Sequence, residues 1–122
     1  MLVMGFADRF VAAIEQGDET TLSERLAPEC TVNPSFSDGE NDRTTTLRIL
    51  RWMHRNVEGL RYDDIRRHAI DVGYVQQHLL RGTAPDGTEL EIPACLVVTV
   101  HDDKITHIAE YLDSAHVRAL MP

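Results

Sequence analysis

Lys104-Ile105-Thr106-His107-Ile108-Ala109-Glu110-Tyr111-Leu112-Asp113 is the stretch on which the reading of this 122-residue chain turns. Thr88 to His101 precedes it, with an apolar centre from Ile92 to Val100, and Asp102-Asp103 separates the two. Two such runs across a two-residue loop read as an antiparallel hairpin. With strict alternation, Ile105, His107, Ala109, Tyr111 and Asp113 share one face with Val100, Val98, Leu96, Ala94 and Ile92. That face is apolar until it ends in a phenol and a carboxylate. A carboxyl group at an apolar surface is costly to leave unpaired, so Asp113 is the first candidate for chemistry. It also reads as a cap for Ser114-Ala115. The opposite face, with Pro93, Cys95, Val97, Ile108 and Leu112, is too apolar to be left in water and predicts a homodimer through the outer side of the sheet. Thr99, Thr106 and Glu110 are expected on that outer face too, making the interface partly polar.

Towards the N-terminus the pattern repeats. Pro85-Asp86-Gly87 between Tyr74–Thr83 and Thr88–His101 favours a three-residue loop, a type I turn followed by a glycine bulge. On that register His78 opposes Ala94 and Leu80 opposes Ile92, and Tyr74, Gln76 and His78 join the inner face. A two-residue loop would place Gln77, Leu79 and Arg81 there instead. Leu60 to Asp71 is a strand too charged for a sheet centre (Arg61, Asp63, Asp64, Arg66, Arg67) and reads as an edge.

Before Leu60 the period is helical. Phe6, Phe10, Ala13 and Ile14 stripe a helix over residues 3–16 that Gly17 stops. Asp18 caps a short second helix carrying Leu22 and Leu26 and ended by Pro28. Cys30 to Asn33 is a brief strand, Ser35 to Arg43 a polar loop, and Thr44 to Val57 a third helix striped by Leu47, Leu50, Met53 and Val57, with Ile49 and Trp52 beside them. Ser114 to Met121 is a tail with a possible helical turn. Helices followed by an antiparallel meander predict one α+β domain over residues 1–122.

The totals exclude several classes. A formal charge of −8 opposes nucleic acid and anionic membranes. No apolar run reaches the roughly 20 residues of a membrane span, and the start of the chain lacks the basic region of a signal peptide. Cys30 and Cys95 form no CxxC or CxxH pattern and suit a reducing cytoplasm. The six histidines show no HxH or HExxH spacing, so no metal is expected. GxGxxG, Walker and GxSxG motifs are lacking as well, leaving cofactor-free chemistry or none.

Two or three amphipathic helices, then a meander ending in Lys104-Ile105 and Glu110-Tyr111-Leu112-Asp113, resemble the SnoaL-like group of the nuclear-transport-factor-2-like (cystatin-like) superfamily. The resemblance covers nearly the whole chain. It implies a curved sheet wrapped round the helices, a cone-shaped pocket for a small apolar molecule, and a dimer. It is partial towards limonene-epoxide hydrolase, with its Arg-x-Asp pair on a middle strand and a final Asp. Alignment on Pro85-Asp86-Gly87 and Pro93 puts His78 at the Arg, Leu80 at the Asp and Asp113 at the final Asp. Asn33 matches a water-holding Asn. Leu80 breaks the triad, so what the resemblance implies is an Asp113–His78 acid/base pair of the cyclase, isomerase or epoxide-opening class. The pocket is then lined by Asn33, Trp52, Tyr74, Gln76, Leu80 and Tyr111. A non-catalytic binding module of the same fold is the other reading.

Overall fold

The computed structural model describes residues 3–118, apart from the side chain of residue 117. Helix α1 (Val3–Gln16) buries Phe6, Ala7, Phe10, Val11, Ala13 and Ile14, the expected stripe slightly widened. It ends where Gly17 adopts φ +68° and the Asp18 N–H returns to the Ala13 carbonyl at 2.9 Å. Asp18 then caps α2 (Glu19–Arg25), accepting from the Thr21 N–H at 3.1 Å. The chain passes directly into β1 (Leu26–Pro34), so Leu26 and Pro28 are strand residues. Within the anticipated polar loop a two-residue strand, β2 (Asn41–Asp42), pairs with β1. Asp42 caps α3 (Arg43–Asn56) by accepting from the Thr45 N–H at 2.8 Å. On α3 only Thr46 and Met53 are fully buried; Leu47, Ile49, Leu50 and Trp52 pack against the core while keeping one side open.

The meander is β3 (Glu58–Ile70), β4 (Gly73–Thr83), β5 (Glu89–His101) and β6 (Lys104–Leu112), followed by one helical turn, α4 (Ser114–Val117). The sheet order is β2-β1-β6-β5-β4-β3, which puts β3 at the edge as its charges require. The sheet is mixed and not wholly antiparallel, because β1 runs parallel to β6. Helices lead into this curved, open sheet, and the core lies between them: Phe6, Phe10 and Ile14 against Tyr74, Ile92, Leu96, Val98, Ile105 and Ile108. Among the described residues no helix is long and apolar enough to cross a membrane.

Both hairpin loops are as expected. The Ala84 N–H bonds to the Thr88 carbonyl at 2.8 Å around Pro85-Asp86-Gly87, with Gly87 at φ +88°, and His78 opposes Ala94 while Leu80 opposes Ile92. His101 pairs with Lys104 across Asp102 and Asp103, both at positive φ.

The expected faces of β6 are overturned two residues later. Val100 pairs with Ile105 but Thr99 pairs with His107, so Thr106 is an extra residue, a β-bulge. A strand has period two, and one inserted residue exchanges the faces of everything beyond it. Ile108, Glu110 and Leu112 therefore lie opposite Val98, Leu96 and Ala94 on the inner face, and His107, Ala109 and Tyr111 turn outward. Ile108 and Leu112 leave the predicted outer set, and so does Glu110. Deleting Thr106 should force the choice between burying Ile108 and keeping the hairpin, and abolish cooperative unfolding in urea. Thr106→Ala, which keeps the bulge, should stay within about 0.5 kcal/mol of the parent.

Candidate functional site

On the inner face of β4, Tyr74, Gln76, His78 and Leu80 follow one another at strand spacing and are 1%, 1%, 6% and 5% exposed. Two buried polar side chains in that row need partners, and β3 supplies them. Arg67, opposite Gln76, donates through Nε to Gln76 Oε1 at 2.8 Å. Its Nη1 is bound to Asp8 of α1. The Gln76 amide nitrogen lies 3.0 Å from His78 Nδ1. Tyr62, also on β3, stacks on the His78 imidazole with ring centres 4.4 Å apart. The Tyr62 backbone N–H is held by Glu15 of α1 at 2.8 Å.

Across β5, in the same row as Gln76 and Leu96, stands Glu110. Its carboxyl group has no hydrogen-bond partner among the described residues, and burial raises its pKa. Burial, reinforced by the charges of Glu110 and Glu15, pushes the Tyr62 phenol far above its ordinary range. Tyr74 is pushed up to about 12 by burial. His78 is lowered to about 4, first by burial and then by the Arg67 charge, so its imidazole is neutral at pH 7. The inner face thus carries, two strands apart, a carboxyl group whose pKa is raised and a neutral histidine. Those are the components of acid/base chemistry.

The residues named from sequence divide. Tyr74, Gln76, His78 and Leu80 share the inner face, Leu80 as packing. Trp52 sits half-buried on α3 against the core. Asn33 pairs with Ala109 and falls on the outer side with it. Tyr111 is 54% exposed and also outward. Asp113 is exposed, and its Oδ1 accepts from the Ala115 N–H at 2.9 Å, capping α4. The bulge therefore separates Asp113 from His78, and the structure does not bring the expected pair together. Glu110, Tyr62 and Arg67 are the residues that sequence reasoning missed. A signal for Glu110 was present: Ile105, Ile108 and Leu112 share an apolar face only if one extra residue lies between the first two. Among the described residues no cluster of His, Cys, Asp and Glu could hold a metal ion.

A SnoaL-like domain profile matches residues 7–108. The chain belongs to the SnoaL-like family. Solved structures agree on the fold. A candidate polyketide cyclase from Pseudomonas putida superposes with a TM-score of 0.81 at 17% identity, covering 95% of each chain. An LEH-like epoxide hydrolase from M. tuberculosis gives 0.78 at 19% identity over 97% of this chain and 88% of its own. A protein with a ketosteroid-isomerase-like fold from Catenulispora acidiphila, in complex with trimethylamine, gives 0.76 at 14% identity over 94% and 90%. No curated protein matches the chain in sequence.

The neutral His78 has a consequence for this SnoaL-like domain. The unfolded chain binds a proton at His78 near pH 6.5, and the folded chain only near 4. Stability is complete above the unfolded value and is lost as pH falls through that window, by up to about 3 kcal/mol. Urea titrations between pH 7 and 4 should show this acid slope, and His78→Gln should flatten it.

Proposed function

We propose that the chain is a cofactor-free SnoaL-like enzyme that acts on a small, mostly apolar molecule by cyclisation, isomerisation or epoxide opening. The site is the inner face of the sheet, and Glu110 is its general acid/base. The observation that carries this reading is the Glu110 carboxyl group, half-buried without a hydrogen-bond partner and with a raised pKa, on the face that holds neutral His78. A protonated carboxyl in such surroundings can give its proton to a carbonyl or epoxide oxygen, and its conjugate base can remove one alpha to a carbonyl. Leu47, Leu50 and Leu112, each half-buried against the core, supply apolar walls. Asp113, the acid nominated by the sequence, is less suited because its carboxylate is occupied at the surface by the α4 cap.

Glu110→Gln should lower kcat by about 10²–10⁴-fold, with ligand affinity within a few-fold, because the amide keeps the shape but cannot cycle a proton. It should also raise the Tm at pH 7: a raised carboxyl pKa means folding opposes ionisation, a cost relieved as pH falls. Asp113→Asn should keep turnover, since Asn caps about as well as Asp. Full turnover in Glu110→Gln would remove the acid/base claim. Loss of turnover in Asp113→Asn alone would return the role to Asp113.

A non-catalytic binding module is the second reading, and one observation favours it. The Catenulispora acidiphila protein holds trimethylamine, and an unpaired carboxyl group beside an aromatic ring suits a small organic cation. Binding of such an amine, with no turnover of any epoxide or polyketide-like substrate, would establish it.

The assembly we propose is a homodimer through the outer sheet face, in a reducing cytoplasm that suits the free thiols Cys30 and Cys95. The support is an outward apolar surface of Leu79, Pro93, Cys95, Val97, Ala109 and Tyr111. Several of these line an open groove of about 440 Å³. Light scattering at micromolar concentration should give twice the 13.8 kDa chain mass, and Val97→Arg should give monomer.

A further inference from the structure

We infer that the chain Asp8–Arg67–Gln76–His78 fixes the tautomer of His78, so that the inner face presents an imidazole Nε2–H donor and takes a ligand through an acceptor oxygen. The first part follows from the chemistry of the four side chains. A guanidinium has only donors. The atom of Gln76 that meets Arg67 Nε at 2.8 Å must therefore be the amide oxygen, and Asp8 on Nη1 keeps the guanidinium in place. The other end of the amide, 3.0 Å from His78 Nδ1, must then be the NH2 group, which can only donate. A donor facing Nδ1 requires a lone pair there, and in the neutral ring the hydrogen goes to Nε2. Protonating Nδ1 would set two donors against each other, the same direction in which burial and the Arg67 charge act.

The second part follows from what is left unused. His78 Nε2 has no hydrogen-bond partner among the described residues, although the ring is 6% exposed and covered on one face by Tyr62. Arg67 Nη2 is likewise buried without a partner, in a side chain only 9% exposed. Two unmatched donors on one polar row favour an oxygen acceptor, such as a ketone, an epoxide or a developing alkoxide, over an ammonium group. Gln76 and Arg67 are positioning residues: they act through His78. The ligand class rests on the inner face being the ligand site proposed above; the tautomer does not.

The test separates the two. Long-range proton–nitrogen spectra of the imidazoles in the ¹⁵N-labelled full chain at neutral pH, with His78 assigned by its loss in His78→Gln, should show the Nε2–H form. In Gln76→Glu a carboxylate oxygen faces Nδ1, and the hydrogen should move to Nδ1; Arg67→Met, which frees the amide to turn, should give a mixture. Near-UV circular dichroism identifies variants that have not folded, and the parent spectrum decides without them. An Nδ1–H form in the parent overturns the relay, as does an unchanged Nε2–H form in folded Gln76→Glu. Cyclohexanone and cyclohexylammonium then serve as probes of similar shape. A shift of the His78 Nε2 resonance with the ketone alone is expected. A shift with the ammonium alone, or with neither, overturns the ligand class while the relay stands.

Discussion

One unpaired residue governs the inner surface of this fold. The chain leaves the Asp102-Asp103 turn in register and, at Thr106, inserts a residue that β5 does not match. Hydrophobic burial is a sufficient cause. With the bulge, Ile105 and Ile108 reach 0% and 6% exposure, and Leu112 packs beside the core. Without it, Ala109 and the solvent-preferring Asp113 would take the inner positions and leave Ile108 and Leu112 outside. Each aliphatic side chain moved into the core contributes about 1.5–3 kcal/mol, more than one disrupted ladder bond costs. The bulge also increases local twist, which suits a sheet that must curve around α1 and α3.

The same insertion decides which carboxyl group reaches the inner face, because Glu110 travels with the aliphatic residues. Glu110 sits between Ile108 and Leu112 and cannot leave the inner face while they occupy it. Its charge would lose its water there, so its proton is held more tightly. Arg67 donates into the buried polar row and is committed to Asp8 and Gln76. It therefore depresses His78 without neutralising Glu110: the histidine's pKa falls and the carboxyl's rises, so each group is pushed towards its neutral form.

Most of the architecture was legible because it rests on strong local signals. The stripe of Phe6, Phe10, Ala13 and Ile14, the caps at Asp18 and Gly17, the Pro85-Asp86-Gly87 loop and the charged edge β3 each have one physical solution, and the structure adopts them. The inner row Tyr74, Gln76, His78 and Leu80 followed from the loop alone. The parallel pairing of β1 with β6 was not legible, since it joins residues some 75 positions apart with no turn between them to fix a register. Asp113 and Tyr111 were misplaced for a narrower reason. Strict alternation was extended past a point where the apolar spacing, three residues from Ile105 to Ile108, had already departed from it. Asn33 was named from the resemblance alone, and its pairing with Ala109 puts it on the outer side.

The inner face differs from a packed core in what the fold leaves unsatisfied. A core selected for stability alone would give Glu110 a partner and match Arg67 Nη2 with an acceptor, or replace both with aliphatic side chains of similar size. Here the helices do neither: α1 sends Asp8 to one side of the guanidinium and Glu15 to the Tyr62 backbone, fixing β3 while leaving the donors and the acid on the face unmatched. The caps, loops and apolar stripe provide the stability that such a face gives up. The unmatched groups are of complementary kinds, donors along β3 and β4 and a carboxyl group with a raised pKa on β6, separated by β5 with its small Ala94 and apolar Leu96. That arrangement suits a small molecule with an apolar body and a polar oxygen better than it suits a packed interior.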